Sequence, residues 1–314
     1  MTSPVIEMAG LTKFYGPHRG IEDIDLSIAP GQAFGFLGPN GAGKSTCMRV
    51  LMDFHRPTRG TANVLGLDCE RDSLAIRRRV SYLSGDIALY EKLTAMEQLK
   101  WIGQLRGGVP DSRIEELAER LSLDLSRKIG ELSKGNRQKV GLVQAFMSDP
   151  ELMILDEPTS GLDPLVQHTF RDMVREVVTQ GRTVFLSSHI IDEIDRVCDR
   201  VAIIREGRMV AVETIEALRA RALRRVRISF DEDVDAARFL ALPEVHDVGG
   251  DARNLDISTT GDIDAIVKLA AEHHVIELVS EQADLEEIFL AYYGGEEAGA
   301  DSGASTDAPE GAAS

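Results

Sequence analysis

Nine residues in the first part of the chain have the types and spacing needed to bind the phosphates of a nucleotide. They read Gly38-Pro39-Asn40-Gly41-Ala42-Gly43-Lys44-Ser45-Thr46 and match the phosphate-loop pattern G-x-x-x-x-G-K-[ST]. The apolar run Ala33 to Leu37 predicts a strand before the loop, and Thr46 to Met52 predicts a helix after it. Such a unit directs backbone N–H groups and the positive end of a helix dipole at an anion. We therefore expect Lys44 to reach the β- and γ-phosphates of ATP or GTP, and the Ser45 hydroxyl to bind Mg²⁺.

A second motif places two acidic residues after a buried strand. Leu152 to Leu155 is an uninterrupted apolar run, and Asp156 and Glu157 follow it directly. An Asp at a strand end is well placed to hold the Mg²⁺ of a nucleotide. The adjacent Glu can orient or deprotonate the attacking water. Taken alone, the motif could equally be an ordinary strand end followed by a polar turn, but its combination with a phosphate loop favours the catalytic interpretation.

A third motif, Leu132-Ser133-Lys134-Gly135-Asn136, precedes a stretch through Ala145 with a helical pattern. A Ser and a Gly at a helix N-terminus can form another anion site. In isolation, a simple capped helix is the preferred interpretation of this motif.

These motifs, in this order, resemble those of the ATP-binding cassette family, the nucleotide-binding subunits of ABC transporters, over about Val5 to Leu218. In that family a phosphate loop, a signature sequence usually written LSGGQ, a strand with Asp-Glu and a later His occur in fixed order. The later His is His189 here, after Phe185-Leu186-Ser187-Ser188. The resemblance also implies that Tyr15 stacks on adenine and that Asp163, in Ser160-Gly161-Leu162-Asp163, belongs to a loop that communicates across a dimer.

The resemblance implies a mechanism and partners. Two cassettes pack head to tail, and each ATP is held by Lys44 and Ser45 of one subunit and by Ser133 and Gly135 of the other. Glu157 is then expected to be the general base and His189 the sensor of the γ-phosphate. A separate transmembrane permease is the expected partner, with a second nucleotide-binding subunit, most simply in a homodimer. The overall match is closest in kind to single-cassette exporters of drugs or other hydrophobic compounds.

The chain departs from the family pattern at two places. Its signature reads LSKGN instead of LSGGQ, although Ser133 and Gly135 remain. The family usually has a Gln after the strand that ends here at Tyr82-Leu83, whereas this chain continues Ser84-Gly85-Asp86. Asp86 is therefore the candidate to replace that Gln as a group that contacts Mg²⁺.

The order of apolar runs and helical stretches predicts an α/β core with a largely parallel sheet. For residues 1–220 the resemblance implies a phosphate-loop ATPase domain of ABC type, with an antiparallel β subdomain and a helical insertion at about 87–130. Residues 222–293 predict a small α+β domain whose order of elements resembles a split β-α-β sandwich. Residues 294–314 consist of Gly, Ala, Ser, Thr, Pro, Asp and Glu, so we expect a disordered tail.

Charge and hydropathy limit the classes of partner that we expect for this chain. The chain has 314 residues and a net charge of −17, which disfavours binding to nucleic acid because that affinity depends on clustered Lys and Arg. Two basic clusters, Arg77-Arg78-Arg79 and Arg219 to Arg227, are interpreted as solvated faces. No run approaches the roughly 20 apolar residues that span a bilayer, and Met1 to Gly10 lacks the regions of a signal peptide. We expect a cytoplasmic protein, bound to the cytoplasmic face of the membrane through its partner.

The sequence contains three widely spaced cysteines, Cys47, Cys69 and Cys198. The three cysteines form no metal or redox pattern, but Cys47 lies at a helix start, where a thiol pKa tends to fall, so its oxidation could block nucleotide binding.

The sequence leaves two alternative functions besides that of a transporter subunit. One is a soluble cassette that acts on DNA or ribosomes, and such proteins usually carry a coiled-coil insertion or two cassettes. The other is a different phosphate-loop enzyme, such as a small-molecule kinase or a GTPase, and the signature and His189 argue against it.

Overall fold

The computed structural model describes residues 3–221, 223–281 and 289. The chain divides into two compact units, Met1–Ala217 and Leu218–Ser314, which are described separately. The predicted final helix near Asp284 and the predicted disordered tail lie outside the described residues, apart from Phe289, which is buried.

The first unit alternates strands and helices. In chain order its elements are β1 (Ile6–Tyr15), β2 (His18–Ile28), β3 (Ala33–Leu37), α1 (Lys44–Leu51), β4 (Arg59–Val64), β5 (Leu67–Asp68), α2 (Ser73–Arg79), β6 (Val80–Leu83), α3 (Ala95–Leu105), α4 (Asp111–Arg120), a 3₁₀ turn (Ile129–Glu131), α5 (Lys134–Phe146), β7 (Leu152–Asp156), α6 (Pro164–Thr179), β8 (Thr183–Ser188), α7 (Ile191–Val197), β9 (Arg200–Arg205), β10 (Arg208–Thr214) and α8 (Ile215–Arg221), which runs into the second unit.

A six-stranded sheet carries the predicted site residues. Its strand order is β10-β9-β3-β8-β7-β6, and every neighbouring pair is parallel except β10 with β9. β3, β7 and β8 are buried along their whole length, which fits the apolar runs at Ala33–Leu37, Leu152–Leu155 and Val184–Leu186. Because the strands are parallel, the residues that follow Leu37, Asp156 and Ser188 meet at one edge of the sheet. This arrangement confirms the predicted α/β fold with a parallel core sheet.

A second sheet in the same unit is antiparallel, with the order β2-β1-β4-β5. In β2 apolar and polar residues alternate, and Ile24, Leu26 and Ile28 are buried while the residues between them face outward. Both sheets contribute to one hydrophobic core, in which residues such as Ile24 of β2 and Phe36 of β3 belong to the same buried cluster. The second sheet therefore closes the side of the unit on which α1 packs.

The helical segment begins later in the chain than the predicted helical insertion at about 87–130. Its first helix, α3, begins only after Thr94, whose hydroxyl accepts a hydrogen bond from Glu97 N while the Glu97 carboxylate accepts one from Thr94 N. This reciprocal capping fixes the helix start, so residues 84–94 remain non-helical. The predicted apolar face of α4 is confirmed, because Ile114 and Leu117 are buried.

The second unit has the predicted split arrangement. Its elements are β11 (Arg224–Phe230), α9 (Ala236–Leu240), β12 (Val245–Gly250), β13 (Asn254–Thr259), α10 (Asp264–Ala270) and β14 (Val275–Ser280), with an antiparallel sheet in the order β12-β13-β11-β14. One face of this sheet and the two helices enclose a core around Phe230 and Phe239. Although Ile266, Val267 and Ala270 have the spacing of one helix face, Ile266 and Ala270 of α10 are buried whereas Val267 is 40% exposed.

Within the described residues, none of the helices combines the length and the apolar character needed to cross a membrane.

Candidate active site

The phosphate loop joins the carboxyl end of β3 to the start of α1 at Lys44. Close packing explains two of its glycines. A Cβ atom on Gly38 would lie 2.3 Å from Ile204 O, and one on Gly43 would lie 2.5 Å from Gly20 O. Gly43 also has a φ of +105°, which side chains disfavour. The loop conformation therefore depends on these glycines whatever ligand the loop holds.

A cavity of about 310 Å³ lies against the loop. Its lining residues are Asn40, Gly41, Ala42, Gly43, Lys44, Ser45 and Thr46 of the loop, together with Tyr15, Arg19, Gly20 and Glu157. The predicted residues Tyr15 and Glu157 thus lie beside the loop, although Glu157 is more than 100 positions away in the sequence. Arg19 was not predicted, because no local motif marks it.

Tyr15 is 40% exposed at this cavity. One edge of its surroundings is occupied by His55, whose ring lies 5.5 Å away in a T-shaped contact, and Lys13 Nζ lies 5.3 Å from the Tyr15 ring centre. These contacts hold the ring in place beside the phosphate loop. An aromatic ring held in this way provides a surface on which a base can stack.

Lys44 is 5% exposed and its ammonium group has three oxygen partners. It donates hydrogen bonds to Gly38 O at 2.5 Å and to Pro39 O at 3.2 Å, and it lies 3.3 Å from Glu157 Oε1. A buried ammonium requires such compensation. The loop carbonyls therefore fix the position of a positive charge that the phosphates of a nucleotide can share.

Glu157 links this lysine to His189. Its Oε2 atom lies 2.8 Å from His189 Nδ1, and because a carboxylate only accepts hydrogen bonds, Nδ1 carries the proton. The Glu157 backbone has a φ of +49°, a left-handed conformation that costs about 1 kcal/mol or more for a residue with a side chain. The structure thus brings together three residues that were predicted from separate motifs.

Asp156 is 1% exposed and is held by a neighbouring strand. Ser187 Oγ donates to Asp156 Oδ1 at 2.7 Å and accepts from Glu157 N at 3.0 Å, so one hydroxyl orients both acidic residues. Ser187 was quoted in the sequence only as part of a strand, since its contacts lie about 30 positions away in the chain.

The donor set suits Mg²⁺. The described residues contain no group of three or more His, Cys, Asp or Glu side chains that could hold a metal ion. Mg²⁺ does not need such a group, because it usually keeps several waters and takes one or two carboxylates plus substrate phosphates. The oxygen ligands Ser45 Oγ and the Asp156 carboxylate therefore fit a nucleotide-bound Mg²⁺.

The LSKGN segment lies at the start of α5 and does not line the phosphate-loop cavity. Ser133 is exposed and caps α5 by accepting from Asn136 N at 3.3 Å. Gly135 packs against the loop after β7, since a Cβ atom there would lie 2.5 Å from Gly161 O. Gln138, which sequence reasoning missed, is buried and donates to Glu157 O at 3.2 Å and to Pro158 O at 2.9 Å.

Four predicted residues outside the phosphate loop and the LSKGN segment do not line the cavity, namely Asp156 and His189, which contact Ser187 and Glu157 as described above, and Asp163 and Asp86. Asp163 is exposed and caps α6, because its Oδ1 atom accepts from Val166 N at 3.0 Å. Asp86 is also exposed, and it lines a different cavity of about 440 Å³ together with Phe54 and Tyr82. Gly85, rather than Asp86, approaches Asp156, because a Cβ atom on Gly85 would lie 3.5 Å from Asp156 Oδ2.

The expectation of a reactive Cys47 is wrong. Its side chain is fully buried, and this burial raises the pKa of the Cys47 thiol to about 12. The position at a helix start predicted the opposite direction, but desolvation of a thiolate outweighs the effect of the helix dipole here.

Comparison with known proteins points in one direction. The sequence profile described as ABC transporter matches residues 21–160. The daunorubicin/doxorubicin resistance ATP-binding protein DrrA of Streptomyces peucetius is 33% identical over 304 residues, covering 92% of each chain. The bacitracin transport ATP-binding protein BcrA of Bacillus licheniformis is 30% identical, over 93% of this chain and 98% of its own length. A solved ATP-binding subunit of an ABC transporter is 32% identical, with a TM-score of 0.63, over 68% of this chain and 92% of that chain.

Proposed function

The chain belongs to the ABC transporter family as an ATP-binding subunit with ATPase activity, and from this membership we propose that it drives the export of a drug, lipid or other hydrophobic compound through a separate membrane subunit. The relative from Streptomyces peucetius is a drug-resistance protein by name, and its similarity covers 92% of both chains. A match of that length includes most of the second unit, so the support extends beyond the ATPase domain.

The observation that carries the catalytic part of the proposal is the contact of Glu157 with both Lys44 and His189 at the phosphate-loop cavity. In this arrangement Glu157 accepts the proton of the water that attacks the γ-phosphate, and Lys44 offsets the negative charge of the phosphates. Mg²⁺ held by Ser45 and Asp156 would add a second positive charge at the phosphates. His189 does not line the cavity itself, and it orients the Glu157 carboxylate through its Nδ1–H.

We also propose that two copies associate head to tail. The support is the separation of the two anion-binding motifs, since Ser133 lies exposed at a helix start and does not line the phosphate-loop cavity of its own chain. A second copy can complete each ATP site by presenting its Ser133 and Gly135. The γ-phosphate then links the two chains, and its removal weakens that link.

Light scattering of the purified chain tests this association. The Glu157→Gln variant should form a dimer with ATP and Mg²⁺ but remain monomeric with ADP. Adding Ser133→Ala to this variant should shift the monomer–dimer balance back toward monomer. A dimer that forms equally well with ADP, or that is unaffected by the second substitution, would contradict the head-to-tail arrangement.

The proposed membrane partner docks on the helical segment and the adjoining cavity of about 440 Å³. Tyr90 and Trp101 are 58% and 42% exposed and pack edge to face, so they form a contiguous exposed aromatic surface, and Phe54 at the cavity is also more than half exposed. Contiguous exposed apolar surface is typical of interaction sites. The partner would hold the chain peripherally at the cytoplasmic face of the membrane.

Purification from detergent-solubilised membranes of the native host tests the partner. We expect a protein with several membrane spans to co-purify, and the double substitution Phe54→Ser and Trp101→Ser to weaken that association. Co-purification of ribosomes or DNA instead would favour the alternative of a soluble cassette that acts on nucleic acid.

A further inference from the structure

A cavity of about 770 Å³ lies at the opposite end of the parallel strands from the phosphate loop. Arg79, Glu151 and Arg182 line it, and each of them directly precedes one of the strands β6, β7 and β8. The other wall comes from the connection between α3 and α4 and from the end of α5. Its volume falls within the range of about 300–1,000 Å³ that is typical of small-molecule sites.

The lining carries an excess of positive charge, although the whole chain has a net charge of −17. Five arginines and two acidic residues line the cavity, namely Arg78, Arg79, Arg106, Arg113 and Arg182 against Asp149 and Glu151. Such an excess in a chain that is otherwise acidic focuses positive potential on one place.

Three of these arginines are already neutralised. Arg79 makes two hydrogen bonds to the Glu151 carboxylate at 2.6 and 2.7 Å, and Arg182 pairs with Asp149 at 2.9 Å. Arg113 pairs with Glu116 on its own helix at 2.9 Å. These pairs shape the cavity wall and leave the charges of Arg78 and Arg106 uncompensated.

Arg106 is half-buried and lacks a carboxylate partner among residues 3–221, 223–281 and 289. Its Nη1 atom donates to Val80 O at 2.9 Å, and burial lowers the pKa of the guanidinium. A desolvated cation without a carboxylate is costly unless an anion compensates it. In the same lining, Ser148 Oγ is buried without a hydrogen-bond partner in the part of the chain that the structure describes.

Arg78 is exposed at the same cavity and has no ion-pair partner within the described ranges. The sequence-based interpretation of Arg77-Arg78-Arg79 as a solvated face is therefore incomplete. Arg77 donates to Met52 O and Arg79 pairs with Glu151, so Arg78 is the member of the cluster whose charge is available.

We propose that this cavity binds a small anion with two or more phosphate groups, held by Arg78 and Arg106. Guanidinium groups match phosphate oxygens with paired donors, and Ser148 Oγ supplies a further donor. Among the described residues, the lining contains no aromatic ring on which a base could stack, so the site selects the phosphates and not a nucleobase. A bound anion would bridge the helical segment and the core sheet, and so would affect how freely the helical segment moves.

Isothermal titration of the full chain with inorganic pyrophosphate tests the site, with the phosphate loop saturated by ADP and Mg²⁺ and a fluorescent ADP analogue reporting that ADP stays bound. One pyrophosphate should bind per chain. Arg78→Ala should weaken its affinity about tenfold, as expected for the loss of a charge-assisted contact, and Arg106→Gln should do the same. Arg56→Ala, which removes an exposed arginine that does not line the cavity, is the matched control and should leave the affinity unchanged.

Four outcomes would overturn the proposal, three with pyrophosphate and one with citrate. The first is no binding at millimolar pyrophosphate while ADP remains bound. The second is an unchanged affinity in Arg78→Ala, a substitution at an exposed position whose folding can be verified by its thermal unfolding midpoint. The third is an equal loss in Arg56→Ala, which would show that binding reflects general charge. A titration with citrate separates phosphate from carboxylate recognition, and equal affinity for citrate would contradict the phosphate assignment.

Discussion

The phosphate loop and the LSKGN segment are both predicted anion-binding motifs at helix starts, yet they differ in burial and in their hydrogen-bond partners. Around the phosphate loop, a buried Lys44 is fixed by carbonyl oxygens and by Glu157, and a cavity lies beside it. At the LSKGN segment, Ser133 is exposed, and its hydroxyl accepts a hydrogen bond from a backbone N–H of the helix that it caps. The phosphate loop thus lines a cavity of its own chain, whereas the LSKGN segment, in the proposal above, contacts the ATP of a second copy.

The two motifs are nevertheless mechanically connected. Gln138 on α5 donates to the carbonyl oxygens of Glu157 and Pro158, and Gly135 packs against Gly161. These contacts join the helix that follows the LSKGN segment directly to the backbone of the general base proposed at Glu157. This connection gives the comparison a testable form, since substitutions at the two motifs should separate nucleotide binding from turnover.

Glu157→Gln should have the largest effect on turnover. The amide cannot accept a proton from water, so the ATPase rate should fall by about 10²–10⁴-fold, while ATP affinity changes little. Steady-state phosphate release and equilibrium ATP binding measure the two quantities. Glu115→Gln makes the same change at an exposed position on α4 and should keep the parental rate. Turnover near the parental rate in Glu157→Gln would show that another group is the base.

Ser133→Ala should reduce turnover about tenfold or more, because the hydroxyl is the proposed contact with the ATP of a second copy. Binding of ADP to the single chain should stay within about twofold of the parent, since Ser133 does not line that cavity. The loss of turnover relative to the parent should be larger at low protein concentration, where association of two copies limits the rate.

Thr94→Ala provides the matched control for Ser133→Ala. Thr94 caps α3 in the way that Ser133 caps α5, so both substitutions remove a helix cap worth about 1 kcal/mol. The two variants should lose similar thermal stability, but Thr94→Ala should keep its turnover. Equal loss of activity in both variants would assign Ser133 a purely structural role and remove the difference between the two motifs.

Much of this site could be predicted from local sequence because its parts are local. The strand, the loop and the helix around Lys44 are contiguous, and Asp156 and Glu157 directly follow their strand. The parallel sheet then places these strand ends at one edge. The order of elements in the second unit was predictable for the same reason, since alternating patterns mark its strands.

The contacts that sequence reasoning missed join distant segments. Ser187 orients Asp156 and Glu157 across a pair of neighbouring strands, and Gln138 reaches Pro158 from α5. No local pattern distinguishes these two side chains from other polar residues near element ends. The Cys47 prediction failed in a related way, because local position indicated a helix start whereas tertiary burial determines the thiol pKa.

Ser187→Ala tests whether the hydroxyl that orients Asp156 and Glu157 supports metal binding beside the phosphate loop. Loss of this hydroxyl frees Asp156 Oδ1 and Glu157 N from a common partner, so we expect the Mg²⁺ concentration for half-maximal turnover to rise about three- to tenfold. Ser81→Ala removes another buried hydroxyl, on the strand next to β7, and controls for the general cost of that change. An unchanged Mg²⁺ requirement in Ser187→Ala would separate Ser187 from metal binding.

The smallest effect is expected at Cys47, and it tests whether the phosphate-loop motif is as closed as its packing indicates. With a pKa of about 12, the thiolate fraction at pH 8 is about a thousandfold below that of a thiol with the ordinary value of 9.0. Native protein treated with iodoacetamide at pH 8 should therefore retain its ATPase rate, and mass spectrometry should find Cys47 unmodified until urea unfolds the chain. Since a buried thiol has no access to nucleotide, ATP should not alter this result. Rapid alkylation of Cys47 that ATP prevents would instead show that the loop opens to solvent, and the contrast with the exposed LSKGN segment would then be one of degree.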